Sequence, residues 1–257
     1  MLKLENISKT FNYGTPNEKQ LFNGFNLEIK KGEFIGVVGS NGSGKTTMLN
    51  IISGNVMPDA GKVILEGNDI TKMPNYKRSK KIAFVFQNPS MGTCSAMSIF
   101  ENLSLADNKL KSYNLTRGLN IKAKDKYRTL LEQLGMGLED RLNDNVGALS
   151  GGQRQAISII MATLSKPSLL LLDEHTAALD PKSSEIVMEL TDKIIKEQNI
   201  TALMVTHNLR YAVTYGTRSI MMHEGKIVSD VSGDEKNKRS IDDYLKIFNE
   251  ISIECGN

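Results

Sequence analysis

Apolar and polar positions alternate at the start of the chain, with Leu2, Leu4 and Ile7 set against Lys3, Glu5 and Asn6. The pattern returns in Phe25, Leu27 and Ile29. A period of two predicts half-buried strands, and the turn formers at 12–20 and 30–33 place the two segments in a small antiparallel layer. Further on, mainly apolar runs at 34–38, 82–86, 169–172 and 201–206 read as strands, and the continuous run at 82–86 suits a strand buried on both faces. A short strand is expected at 61–67 and a hairpin from 219–223 and 225–229. Between 90 and 166 the alternation disappears and a helical period governs 98–105, 123–134 and 153–164. This is the pattern of a helical subdomain inserted into an α/β fold. A helix capped by Asp180 with Pro181 in its first position joins the strands at 169–172 and 201–206 into a βαβ unit. The stretch 112–118 reads as a surface loop and 240–251 as a closing amphipathic helix.

The run at 34–38 leads into Gly39, Ser40, Asn41, Gly42, Ser43, Gly44, Lys45, Thr46 and Thr47, which satisfy G-x-x-x-x-G-K-[ST] between a strand and a helix. Glycines let successive N–H groups converge on phosphate oxygens, and the helix beginning near Lys45 adds its positive end. Lys45 is placed to reach the outer phosphates and Thr46 to offer a hydroxyl to Mg²⁺. Phe11 and Tyr13 lie at the edge of the antiparallel layer, where either ring could stack on a flat base or pack in the core.

Composition narrows the setting. With 257 residues, 40% hydrophobic and 24% charged, the chain has the make-up of a globular protein. The net charge of +3 is spread along it, and the basic cluster at 77–81 reads as a solvated face rather than a nucleic-acid patch. Cys94 and Cys255 are too few for a disulfide framework and lack metal-ligand spacing, which points to reduced thiols in the cytosol. Neither a signal-peptide pattern nor an apolar run of the roughly 20 residues a membrane span needs is expected.

Two further stretches carry chemistry. Leu149, Ser150, Gly151, Gly152 and Gln153 open the helix that runs to 164, forming a second anion-binding helix start. One phosphate cradle serves one nucleotide, so a second suggests a nucleotide shared with another copy. A serine N-cap with a glycine-rich turn is the plainer alternative. The strand at 169–172 ends in Asp173 and Glu174, the strand at 201–206 in His207, and the run at 82–86 in Gln87. Polar residues at the ends of buried strands sit where open α/β sheets bind ligands.

Taken in order, these motifs resemble the ATP-binding cassette (ABC) ATPases, the nucleotide-binding subunits of ABC transporters. Residues 39–46 match the Walker A loop, Gln87 the Q-loop, 149–153 the signature motif, 169–173 the Walker B strand, 178–180 the D-loop and His207 the switch histidine. The resemblance spans about residues 1–230 and implies a P-loop NTPase fold, with a RecA-like core and antiparallel layer at 1–88 and 167–235, a helical subdomain at 89–166 and a short C-terminal helix at 236–257.

It also implies roles. Thr46, Gln87 and Asp173 would attend Mg²⁺, Glu174 would act as general base on the attacking water, and His207 would hydrogen-bond the γ-phosphate. Ser150, Gly151, Gly152, Gln153 and Asp180 would contact ATP bound by a partner copy, and Phe11 falls at the family's base-stacking position. One departure stands out: most of the family has proline after the catalytic glutamate, and this chain has His175. The wording around 87–93 and 173–176 resembles a bacterial importer subgroup that works with a lipoprotein-type binding protein and a permease, some members linked to tryptophan or tyrosine uptake. The implied protein is a homodimer on the cytoplasmic face of a membrane. A soluble relative acting on nucleic acid or ribosomes is the competing class. Such relatives usually carry coiled-coil insertions or two cassettes in one chain, and neither is seen here. A metabolite kinase would have no use for 149–153.

Overall fold

The computed structural model describes residues 1–111 and 118–254, and side chains through residue 247. Most of the stretch 112–118, expected as a surface loop, lies outside the described residues. Packing divides the chain into two units, Met1–Ser79 with Thr201–Asn257, and Lys80–Ile200.

In chain order the first unit begins with β1 (Leu2–Phe11), β2 (Lys19–Ile29), β3 (Phe34–Gly39), α1 (Lys45–Ser53), β4 (Ala60–Leu65), β5 (Asn68–Asp69) and α2 (Asn75–Arg78). The second contains β6 (Ile82–Val85), α3 (Ile99–Asp107), α4 (Lys124–Glu132), α5 (Gly151–Thr163), β7 (Leu169–Asp173) and α6 (Pro181–Gln198). The chain then returns to the first through β8 (Thr201–Val205), α7 (Leu209–Thr214), β9 (Arg218–His223), β10 (Lys226–Ser232), α8 (Gly233–Lys238) and α9 (Ile241–Glu254).

The antiparallel layer runs β2-β1-β4-β5. Leu2 and Leu4 face Ile29 and Leu27 across the ladder, and Leu2 faces Leu65 of β4. Leu4 and Ile7 are both buried although three positions separate them, because Asn6 takes a left-handed φ of 51° and shifts the register there. The bulge re-aims the strand so that both side chains stay on the core face. β2 starts earlier than its turn-rich approach suggested: Lys19 and Gln20 already pair with Phe11 and Thr10.

β3 is buried at every position, as its apolar run requires, and lies parallel to both β8 and β9, with Val37 beside Val205 and Val38 beside Met221. The basic cluster at 77–81 needs a correction. Lys77, Lys80 and Lys81 are exposed, but Arg78 is buried and donates to the carbonyls of Ile51 (2.8 Å), Ile52 (2.9 Å), Thr71 (2.7 Å) and Met73 (2.8 Å). A guanidinium at the negative end of α1 satisfies carbonyls that the helix leaves open. A Cβ on Gly54, the C-cap of α1, would come within 2.8 Å of Arg78 Nε, so that glycine makes room for the arginine.

In the second unit β6 and β7 pair in parallel from Ile82 with Leu169 to Val85 with Leu172. The three helical periods become α3, α4 and α5, and α3 opens with a Ser98–Glu101 capping box. Asp180 caps α6 by accepting from the Ser183 N–H (3.0 Å), with Pro181 at its first position as expected. Asn199 ends the helix in the left-handed conformation. The short helices α2 and α8 have too few residues to show a period.

Candidate functional site

The phosphate-type loop is shaped by backbone that only glycine tolerates. Gly39 has φ 153°, Gly42 φ 75° and Gly44 φ 102°. A Cβ on Gly39 would stand 2.1 Å from the carbonyl oxygen of Met222, and one on Gly44 would stand 2.8 Å from the Phe22 ring. Gly44 is the N-cap of α1 and brings no side-chain cap, and the positive end of the helix dipole at this point favours an anion. Lys45 is only 5% exposed, and its ammonium donates to the carbonyls of Gly39 (2.8 Å) and Ser40 (2.9 Å) at the mouth of the loop. The Ser43 hydroxyl is buried without a hydrogen-bond partner among the described residues. Thr46 is exposed on the first turn of α1. Converging donors, one buried cation and an unsatisfied hydroxyl form a cradle for an anion with several oxygens.

His207 follows β8 and is exposed. The Thr206 N–H donates to Val37 O (3.0 Å) and the Asn208 N–H to the Thr206 hydroxyl (3.0 Å), so the chain leaves β8 locked against β3. Parallel pairing of β3 and β8 therefore brings His207 and residues 39–47 to the same carboxyl edge. Phe11 ends β1, half-buried, with Lys9 Nζ 5.5 Å from its ring centroid. Tyr13 is 84% exposed beyond the strand end. Lys19, opposite Phe11 in the ladder, reaches within 3.8 Å of the place a Cβ on Gly42 would occupy. That second cation at the loop carries no motif, and only the strand register reveals it.

The second unit gathers the remaining residues. Gln87 follows β6 and Asp173 ends β7, so parallel pairing sets them on one carboxyl edge. Glu174 adopts a left-handed φ of 47°, uncommon for a residue with a Cβ and a sign of local strain. Its carbonyl accepts from the Ala177 N–H (2.9 Å) in the tight turn that leads to Leu179 and Asp180. Ser150 and Gln153 form a reciprocal capping box at the start of α5, Ser150 Oγ accepting from the Gln153 N–H (3.3 Å) and Gln153 Oε1 from the Ser150 N–H (3.2 Å). The serine thus caps its helix, as the plainer alternative held, while Ser150 and Gly151 remain exposed. Gly152 lies against α6, where a Cβ would meet Ser183 Cβ at 2.8 Å, and one on Gly151 would come 3.3 Å from Leu179. The 150–153 and 178–180 segments are therefore neighbours. Hydrogen bonding to Ser183 holds the Asp180 carboxyl below its ordinary pKa. α5 also grips the segment around Gln87: Gln155 Nε2 donates to Phe86 O (3.2 Å) and Arg154 to the Ser90 hydroxyl (3.0 Å).

His175 is buried, and burial alone pushes its pKa down to about 4, so the ring is neutral at neutral pH. Its Nε2 lies 3.3 Å from the Thr191 hydroxyl, which donates to Val187 O (2.7 Å). With that hydroxyl proton committed, Nε2–H is the donor of the pair. A neutral ring facing α6 packs the turn and has no proton to exchange with a substrate. His175→Gln is therefore expected to keep the turnover number within about threefold of the parent in a phosphate-release assay, because a group out of reach of the transferred proton gives no acid–base assistance. A loss of a hundredfold would put the ring in the chemistry.

Among the described residues no group of three or more His, Cys, Asp and Glu side chains is arranged to hold a metal. No described helix is long and apolar enough to cross a membrane.

The family model described as ABC transporter matches residues 22–177. A tyrosine transport ATP-binding protein of Clostridioides difficile is 49% identical over 250 residues, covering 96% of this chain and 98% of the relative. A phosphonates import ATP-binding protein, PhnC of Treponema denticola, is 34% identical, covering all of this chain and 98% of the relative. Among solved structures, the dimeric ATP-binding cassette MJ0796 in a post-hydrolysis state with ADP and Pi superimposes with a TM-score of 0.75 at 30% identity, covering 90% of this chain and 98% of that one.

Proposed function

The chain belongs to the ABC transporter family and is one of its ATPases, and from this we propose that two copies close head to tail around two ATP molecules and drive a separate membrane permease. The observation that carries the reading is the glycine-shaped loop with Lys45 stationed on the Gly39 and Ser40 carbonyls. An incoming polyphosphate competes for that ammonium with better, charge-assisted acceptors.

In this reading residues 39–47 hold the phosphates of one ATP, with Phe11 beneath the base. Bound with the nucleotide, magnesium supplies a Lewis acid that neutralises developing charge on the phosphate oxygens. Thr46 and Asp173 are the residues suited to hold it, with Gln87 as a further contact. Glu174 accepts the proton of the attacking water, and its left-handed backbone fixes where the carboxylate is presented. His207 hydrogen-bonds the γ-phosphate. Ser150, Gly151, Gly152, Gln153 and Asp180 face the nucleotide of the partner copy, and the exposure of Ser150 and Gly151 leaves them open to it. A division into an ATPase domain at 1–235, with its helical subdomain at 89–166, and a short C-terminal helix within 236–257 belongs to the same proposal; among the described residues that last helix is α9, Ile241–Glu254.

The name of the 49% identical relative supports a finer proposal, an importer of an aromatic amino acid working from the cytoplasmic face of the membrane with a solute-binding protein. Affinity purification from detergent-solubilised membranes is the test. A polytopic membrane protein is expected to accompany the chain, and ATP turnover of the reconstituted pair should rise with tyrosine-loaded binding protein. Recovery of ribosomes or DNA instead would overturn the transport reading.

A further inference from the structure

The β9–β10 hairpin touches the phosphate loop at three points. β9 lies parallel to β3 with Met222 opposite Gly39, so the next residues on each strand, His223 and Ser40, emerge side by side. His223 Nδ1 stands 3.2 Å from the Ser40 hydroxyl. The Gly225 N–H donates to the Ser43 carbonyl (3.0 Å), and the Met222 carbonyl occupies the space a Cβ on Gly39 would need. Glu224 (φ 42°) and Gly225 (φ 73°) are both left-handed, the conformation of a tight two-residue hairpin turn. A Cβ on Gly225 would stand 1.7 Å from Leu21 O, so the turn is seated against backbone on its other side. His223 is thus fixed by strand register, by the turn and by the packing of the turn.

We propose that His223 is a positioning residue for nucleotide binding, acting through the Ser40 hydroxyl to hold the mouth of the phosphate loop in its binding shape. Ser40 is held at three contacts, its carbonyl by Lys45 and by the Ser43 N–H (3.3 Å) and its hydroxyl by His223. Lys45 must turn from the Gly39 and Ser40 carbonyls to reach a phosphate. Once Lys45 has turned, the Ser43 N–H holds Ser40 from within the loop and His223 ties its side chain to β9, so His223 preserves the convergence of the loop N–H groups when they are used. None of the motifs that define the site includes this histidine, and no spacing rule points to it.

The inference rests on residues 39–47 being the ATP loop, and its test separates the two claims. ATP affinity is measured by calorimetry in the presence of Mg²⁺, and KM and kcat by phosphate release, for the parent, His223→Ala, His223→Asn and a Lys45→Ala control. His223→Ala should raise Kd and KM about fivefold, the scale of one lost hydrogen bond, with kcat within about twofold of the parent. Asparagine places an amide near the position of Nδ1 and should restore affinity. Equal Kd in the parent and His223→Ala overturns the proposal, as does a failure of asparagine to restore it. So does a lower melting temperature and kcat at unchanged KM, the signature of a merely structural role. If Lys45→Ala binds ATP like the parent, the reading of the loop itself has failed.

Discussion

Glu174→Gln is expected to leave ATP binding intact while turnover falls by roughly 10²–10⁴-fold, the range attributed to a positioned general base. The substitution keeps the shape of the side chain and removes the carboxylate that would accept the proton of water. It also removes a negative charge that would face the γ-phosphate, which favours the closed pair. ATP should therefore trap a dimer of the variant, visible by size-exclusion chromatography with multi-angle light scattering, under conditions where the parent runs as a monomer after hydrolysis. Because Glu174 sits at φ 47°, a glutamine there inherits the same backbone constraint and should present its amide in the same place. Turnover within about threefold of the parent would remove Glu174 as the base, since a group that only binds substrate changes KM rather than kcat.

The motif residues were legible because their chemistry depends on local backbone. Gly39, Gly42 and Gly44 announce a loop that only glycine can follow, and the structure gives each a positive φ. Asp173, Gln87 and His207 announce themselves by ending apolar strands. Asp180 and Pro181 announce a helix start, and Asp180 does accept from the Ser183 N–H.

Residues whose role depends on which strands or helices become neighbours were not legible. Arg78 reads as one more charge in a basic run until it is seen bonded to the last carbonyls of α1. Lys19 reaches the loop only because β2 pairs with β1 through Phe11. His223 reaches Ser40 only because Met222 and Gly39 are in register. His175 was visible as a departure from the family pattern, but its neutrality follows from burial against α6 and could not be read from spacing. The bulge at Asn6 shows the same limit in the core: strict alternation would have put Ile7 on the wrong face.

The second large effect concerns the claim that each phosphate loop is half of a site. Lys45→Ala removes the buried ammonium and should weaken ATP binding by about 10–100-fold, as expected for losing charge-assisted bonds to phosphate. Ser150→Arg leaves the loop intact and blocks the exposed start of α5, so this variant should bind ATP, pair with a partner, and fail to complete the site around the partner's nucleotide. Neither variant alone is expected to turn over. In a head-to-tail pair formed from one copy of each, one of the two sites combines the intact loop of Ser150→Arg with the intact signature segment of Lys45→Ala. The most direct measurement is phosphate release from the two purified variants mixed in varying ratio. The expected result is recovery of activity that peaks at equal amounts and approaches about one quarter of the parent, because half of the dimers are mixed and each has one intact site of two. No recovery at any ratio, or full activity of either variant alone, would contradict the shared site.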